Sequence, residues 1–161
     1  MTTERTLYDT VRAAWASVPA PPEEDMKFME WGWGEAAAQA FTGVAPVDVD
    51  LRSHGFHAAT PLLDLPPRAA AAYLGTFVLA LLRSLERQKA IGIYSDMVTR
   101  AHVKTCLTSE PFWNQVVRPF LSPPCRAALA QALSFFASEA EALALTPEQV
   151  EAMRAFAADA T

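Results

Sequence analysis

The sequence predicts an all-α fold, a compact multi-helix domain packed around one central apolar helix at about 67–88. Three observations predict it. Apolar residues recur at three- and four-residue intervals over most of the chain. Pairs of a hydroxyl residue and a proline, which start helices, recur along its second half. Only residues 44–51 alternate as a strand would. Apolar residues make up 52% of the 161 and charged residues 19%, too apolar for a disordered chain and enough for one core, so a single helical domain over 1–161 is expected.

The first helix is expected over 3–18, where Leu7, Val11, Trp15 and Val18 form one stripe and Arg5, Asp9 and Arg12 lie off it. Pro19, Pro21 and Pro22 end it, because an interior proline loses a hydrogen bond and clashes with the preceding turn. An irregular segment follows at 19–34, with Pro and acidic residues first and then MKFMEWGWG, where Gly32 and Gly34 weaken any helix. GEAAAQAFTG reads as a short helix closed by Gly43. In 44–51, Val47, Val49 and Leu51 alternate with Asp48 and Asp50. Two readings stand there: a brief strand in one minor extended pair, or a helical turn capped by the aspartates.

Thr60-Pro61, Ser122-Pro123 and Thr146-Pro147 each place a hydroxyl before a proline. The hydroxyl can accept from an orphan amide, and proline has no amide to leave unpaired. Gln149 makes the last of them a capping box, and Ser109-Glu110-Pro111 is a looser version. The helices expected are 67–88, 95–107, 110–121, 123–143 and 147–158. Tyr73, Phe77, Leu81 and Leu85 run at i+4 along the first of these, with Leu74, Val78 and Leu82 beside them. Cys125, Leu129, Leu133, Phe136 and Ala140 mark the inner face of 123–143, and Val150, Met153 and Phe156 that of the last.

The stretch DVDLRSHGFHAATPLLDLPPRAAAAYLGTFVLALL and the closing LTPEQVEAMRAFA carry a resemblance. Leu65, Pro66 and Pro67 match a proline-headed central helix, and Tyr73 and Leu74 match its middle. Over 30–157 the chain resembles an uncharacterised bacterial family of small helical proteins, a domain of unknown function. Gly75 departs from that pattern, standing where the family has proline. The resemblance implies a helical fold and is silent on chemistry.

Eighteen acidic against 13 basic residues give a net charge of -5, which disfavours nucleic acid and anionic membranes and permits a basic protein partner. The N-terminus, MTTERTLYDTVRAAW, has charges where a signal peptide needs an apolar run. The longest apolar stretch, 69–82 between Arg68 and Arg83, is short for a bilayer span. A cytoplasmic location is the expectation. Cys106 and Cys125 make no disulfide framework and read as buried small hydrophobes.

Two histidine arrangements suggest chemistry. His54 and His57 have a spacing that could ligate a metal, with Asp48 or Asp50 as a third ligand, but Gly55 lies between them and they read better as solvated or capping residues. His102 and Cys106 lie four apart on a helix, as a nucleophile and its base could, with Asp96 six residues from His102. No GxSxG, phosphate loop, HExxH or paired CxxC is present. No catalytic residue, metal or cofactor is therefore expected. The strongest candidate surface is the mixture of acids and aromatics at Glu23, Glu24, Asp25, Phe28, Glu30, Trp31 and Trp33. Acids steer a basic partner and aromatics anchor it. The expected function is non-catalytic protein binding, of the kind by which immunity proteins and antitoxins occlude a bacterial partner. The alternatives are a small enzyme or metal protein using His54/His57 or His102/Cys106, and an accessory structural module.

Overall fold

A computed structural model describes residues 3–26, 41–51, 62–63, 65–92 and 97–160. The first helix, α1 (Glu4–Trp15), starts where the Thr3 hydroxyl accepts from the Thr6 amide, with Glu4 in its first turn. It buries Leu7, Val11 and Trp15, as its stripe predicts. The central helix, α2 (Pro67–Ile91), is buried on nearly every side. Its column Tyr73, Phe77, Leu81 and Leu85 is at most 1% exposed, and Leu74, Val78 and Leu82 are buried beside it. By length and composition α2 could cross a membrane, yet 78% of its most apolar window lies inside the fold, the environment of a core helix. It ends at Gly92, which takes the left-handed conformation (φ 68°) of a helix C-cap.

Four further helical stretches follow: α3 (Met97–Leu107), the composite α4 (residues 110–120), α5 (Pro123–Ser138) and α6 (Pro147–Asp159). The fold is all-α, and no strand occurs among the described residues. The stretch 44–51 resolves as a helical turn, a 3-10 turn at Pro46–Asp48. Its alternation reflects packing over α2, with Val47, Val49 and Leu51 half-buried against the core. Two α2 hydroxyls hold it there. The Tyr73 hydroxyl lies 2.5 Å from the Phe41 carbonyl and 3.0 Å from that of Val44, and Thr76 donates to the Pro46 carbonyl at 2.7 Å. Burial pushes the Tyr73 phenol up to about 12.

The helix expected at 110–121 is not uniform. Glu110–Phe112 is α-helical, Trp113–Val117 is a π-helical turn and Arg118–Phe120 is α-helical again. Pro119 explains the widening. In a regular α-helix its ring would meet the carbonyl of Gln115 and its missing N–H would break the ladder, so the Arg118 amide reaches back five residues to Trp113. The turn aims Trp113 at α6: its indole stacks on Phe156 (4.7 Å between centroids) and donates to Asp159 at 2.9 Å. Hydrogen bonds from Arg118, and then from Trp113, hold the Asp159 carboxyl below its ordinary range.

The helix expected to run to 143 stops at Ser138. Residues 139–144 form a turn that folds Leu143 inward, closed by the Leu145 amide on the Ala140 carbonyl (2.8 Å) and by Lys104 Nζ on the Leu143 carbonyl (2.7 Å). Ala144 takes a left-handed φ of 49° to make it, a place that glycine usually marks. Thr146 and Gln149 form the expected capping box in both directions. Ser109 caps as expected too, but Ser122 does not. Pro123 and Pro124 both lack an amide. The Cys125 amide at the third position could still serve, but the Ser122 side chain is hydrogen-bonded to the Cys125 thiol instead.

The helix packing sets up everything below. α1 lies between α2 and α5, antiparallel to both. Its start meets the ends of the other two, where Lys89 Nζ bridges Glu4 (2.5 Å) and Glu139 (2.7 Å). Its end meets their starts. There the Cys125 thiol donates to the Ala14 carbonyl at 3.3 Å, and the Trp15 indole lies across Gly75. A Cβ at Gly75 would sit 2.4 Å from that ring, so only glycine lets the two helices approach this closely.

Candidate functional site

Where α1 ends and α2 and α5 begin, the fold leaves a cavity of about 430 Å³. The helix geometry accounts for it. Trp15 is seated against Gly75, and the chain then turns away through Pro19–Pro22, whose rings cannot continue α1. Prolines form one wall, Ala71 and Ala72 of α2 another, and Phe120 and Leu121 at the end of α4 a third. Phe120 is 44% exposed, unusual for a residue of its size. Small alanines on α2 leave the space that larger side chains would fill.

The electrostatics of this cavity are one-sided. Among the described lining residues Arg68 alone carries a charge, and no described residue forms an ion pair with it. Arg68 lies in the first turn of α2, where the helix dipole already presents its positive end. That turn has no acid and no side-chain cap, and neither has the start of α5. By contrast α1, α4 and α6 each begin with a hydroxyl cap and an acid in the first turn. Cys125 also lines the cavity. Burial raises its thiol pKa, against a smaller opposing pull from Ser122, so it stays protonated at neutral pH.

The acidic turn of the sequence sits directly beyond the proline wall. Glu23–Met26 is a 3-10 turn pinned by buried Met26, with Glu23 and Glu24 exposed and Asp25 half-buried. One carboxylate oxygen of Asp25 is fully buried with no hydrogen-bond partner among the described residues. Phe28, Glu30, Trp31 and Trp33, the rest of that candidate surface, lie outside the described residues, as do His54, His57, Asp96 and the Thr60-Pro61 pair. His102 and Cys106 do share a face of α3, but Cys106 is 1% exposed and burial pushes its thiol up to about 11. A thiol held that far above neutrality is a poor nucleophile. Among the described residues no group of three or more His, Cys, Asp or Glu side chains converges as metal ligands would.

Sequence reasoning missed Arg68, Phe120 and Cys125 as neighbours, because they come from three separate stretches. One signal pointed to the place. Arg68 in a first turn without an acid and Ser122 before two prolines both break the capping pattern kept at α1, α4 and α6. Comparison with protein-family models, with curated proteins and with solved structures finds no match for this chain.

Proposed function

We propose that this chain is a non-catalytic binding domain that receives a basic protein partner on its acidic turn, in the manner of an immunity- or antitoxin-like inhibitor. The observation that carries the reading is the Asp25 carboxylate. One of its oxygens is buried with no donor among the described residues, beside two exposed glutamates on a turn pinned by Met26. An acceptor left without a donor costs stability, and a cation docked on the turn would offset its negative field without reaching the buried atom. Glu23 and Glu24 would add long-range attraction, felt mainly in the association rate.

The test uses the product of a neighbouring gene as the partner and stopped-flow association as the readout. Replacing Glu23, Glu24 and Asp25 together by Lys is expected to slow association and flatten its salt dependence, with dissociation changed less. Association unchanged at low salt would overturn the reading.

A further inference from the structure

We propose that the cavity between Trp15, Phe120 and Arg68 is a binding site for a small amphipathic carboxylate, its apolar body in the cavity and its carboxylate on the Arg68 guanidinium. This site goes beyond the acidic turn and takes the opposite charge.

Three observations converge. The volume of about 430 Å³ lies in the range of small-ligand sites, and the walls are of the type such sites use: proline rings, alanines and two aromatic residues. The apolar lining selects an apolar body, and a single charged group at its edge selects one charged head. Arg68 fixes the sign of that head, and its planar fork suits a carboxylate held through two oxygens. The surrounding backbone adds to the same sign. The starts of α2 and α5 both reach the cavity, through Arg68 and Ala71 on one side and Ser122 and Cys125 on the other, with neither an acid nor a side-chain cap to offset their dipoles. The end of α1 opposes them with one shorter helix. A cation placed in the first turn of a 25-residue helix raises the cost of an already positive end. Such a departure from the rule, kept at three other helix starts of this chain, is expected at a functional site.

A neutral apolar ligand would leave Arg68 unused, and an amine would meet a like charge. A protein segment could also bring an apolar side chain, but the cavity is sized for a whole small ligand, and the proposal commits to that.

Decanoate, decanol and decylamine, each kept below its aggregation limit, make the test by calorimetry on the full chain. Decanoate is expected to bind one to one and decylamine to give no heat. Arg68→Gln, at an exposed position, should weaken decanoate at least about tenfold and leave any decanol binding as it was. Ala72→Leu, which fills the cavity from a half-buried position, should abolish decanoate binding while circular dichroism confirms the fold. Glu23→Lys with Glu24→Lys should not reduce decanoate binding, which separates this site from the acidic turn. The proposal is overturned by any of three results: no decanoate heat up to about 1 mM, equal affinity for decanol and decanoate with no effect of Arg68→Gln, or decanoate binding that survives Ala72→Leu.

Discussion

The two ends of the α1–α2–α5 bundle are built from the same three helices and are electrostatic opposites. At one end α2 and α5 finish, and Lys89 sits at the negative end of α2, bridging Glu4 and Glu139 and lying 5.7 Å over the Phe135 ring. Glu4 in turn sits at the positive start of α1. At the other end α2 and α5 start, and the charge placed there is Arg68, of the same sign as the helix ends it faces. At one end the lysine is paired with two acids; the other holds a cavity with Arg68 at its edge, unpaired among the described residues, and the acidic turn beyond its proline wall. Packing alone does not require that difference, since the two ends share one core. It separates what stabilises this fold from what leaves it ready to bind.

The largest effect should fall on what both ends share. Phe77 is fully buried in the middle of α2, and Phe77→Ala should cost about 3–5 kcal/mol in a urea denaturation. A loss below about 0.5 kcal/mol would detach the core from both ends and remove the basis of the comparison. Next come two glycines of α2, one towards each end. Gly75→Ala should cost about 1–3 kcal/mol, because its Cβ would lie 2.4 Å from Trp15 and the indole must move. At Gly92 a Cβ would meet nothing, so Gly92→Ala should cost only the strain of φ 68°, about 1 kcal/mol. Only the first should also disturb ligand binding, since Trp15 lines the cavity.

Titration should loosen the two ends at opposite extremes of pH. The Tyr73 phenol is raised from 10.0 to about 12 by burial, so its contribution is complete below pH 10 and is lost as pH rises from 10 through 12. Tyr73→Phe should cost about 1–2 kcal/mol at neutral pH, through the Phe41 and Val44 carbonyls it leaves, and should flatten that alkaline window. At Glu4, burial acts to raise the pKa, but hydrogen bonds from Lys89 and the backbone, with the Lys89 charge, outweigh it and leave the group below its ordinary 4.5. Its contribution is therefore present above that value and lost as pH falls below it. Urea midpoints measured across both windows test the pair.

What the sequence made legible follows the same division. The core column of α2 and the capping box at Thr146 are local signals present as read, and the stripe of α1 is present through Trp15, with Val18 half-buried beyond the helix end. The π-helical turn had a local signal in Pro119, but an apolar periodicity over 110–121 hides a one-residue change of register. The early end of α5 had none, because Ala144 occupies the left-handed position that glycine would have marked. The cavity was the least legible feature. It depends on Gly75 admitting Trp15, on prolines turning the chain away and on α4 delivering Phe120, three events far apart in sequence. Of the acidic-aromatic surface, Glu23, Glu24 and Asp25 lie beside that cavity, a proximity no spacing could announce.

Removing the cation at the filled end should destabilise modestly. Lys89 is held charged by hydrogen bonds to Glu139 and then Glu4, which raise its pKa, but its side chain is 44% exposed and water screens the pair. Lys89→Met should cost about 0.5–1 kcal/mol at low salt and less at high salt, leaving Glu4 and Glu139 facing each other.

Removing the cation at the open end should do the reverse, and this is the smallest effect and the sharpest test. Arg68 opposes the dipole of α2 and forms no ion pair with any described residue, so its charge adds repulsion at that helix end. Arg68→Glu places an acid where the other capped helices carry one, and should raise stability by about 0.3–1 kcal/mol at low ionic strength. The gain should shrink as salt is added, because an exposed charge is screened within a Debye length. Thermal melts of Arg68→Glu and Lys89→Met in one buffer series give the comparison directly: two cations removed from one helix, with opposite signs of effect. A loss of stability in Arg68→Glu would mean that Arg68 is held by the fold for packing or pairing, and that end of the bundle would then hold no unpaired cation for a ligand.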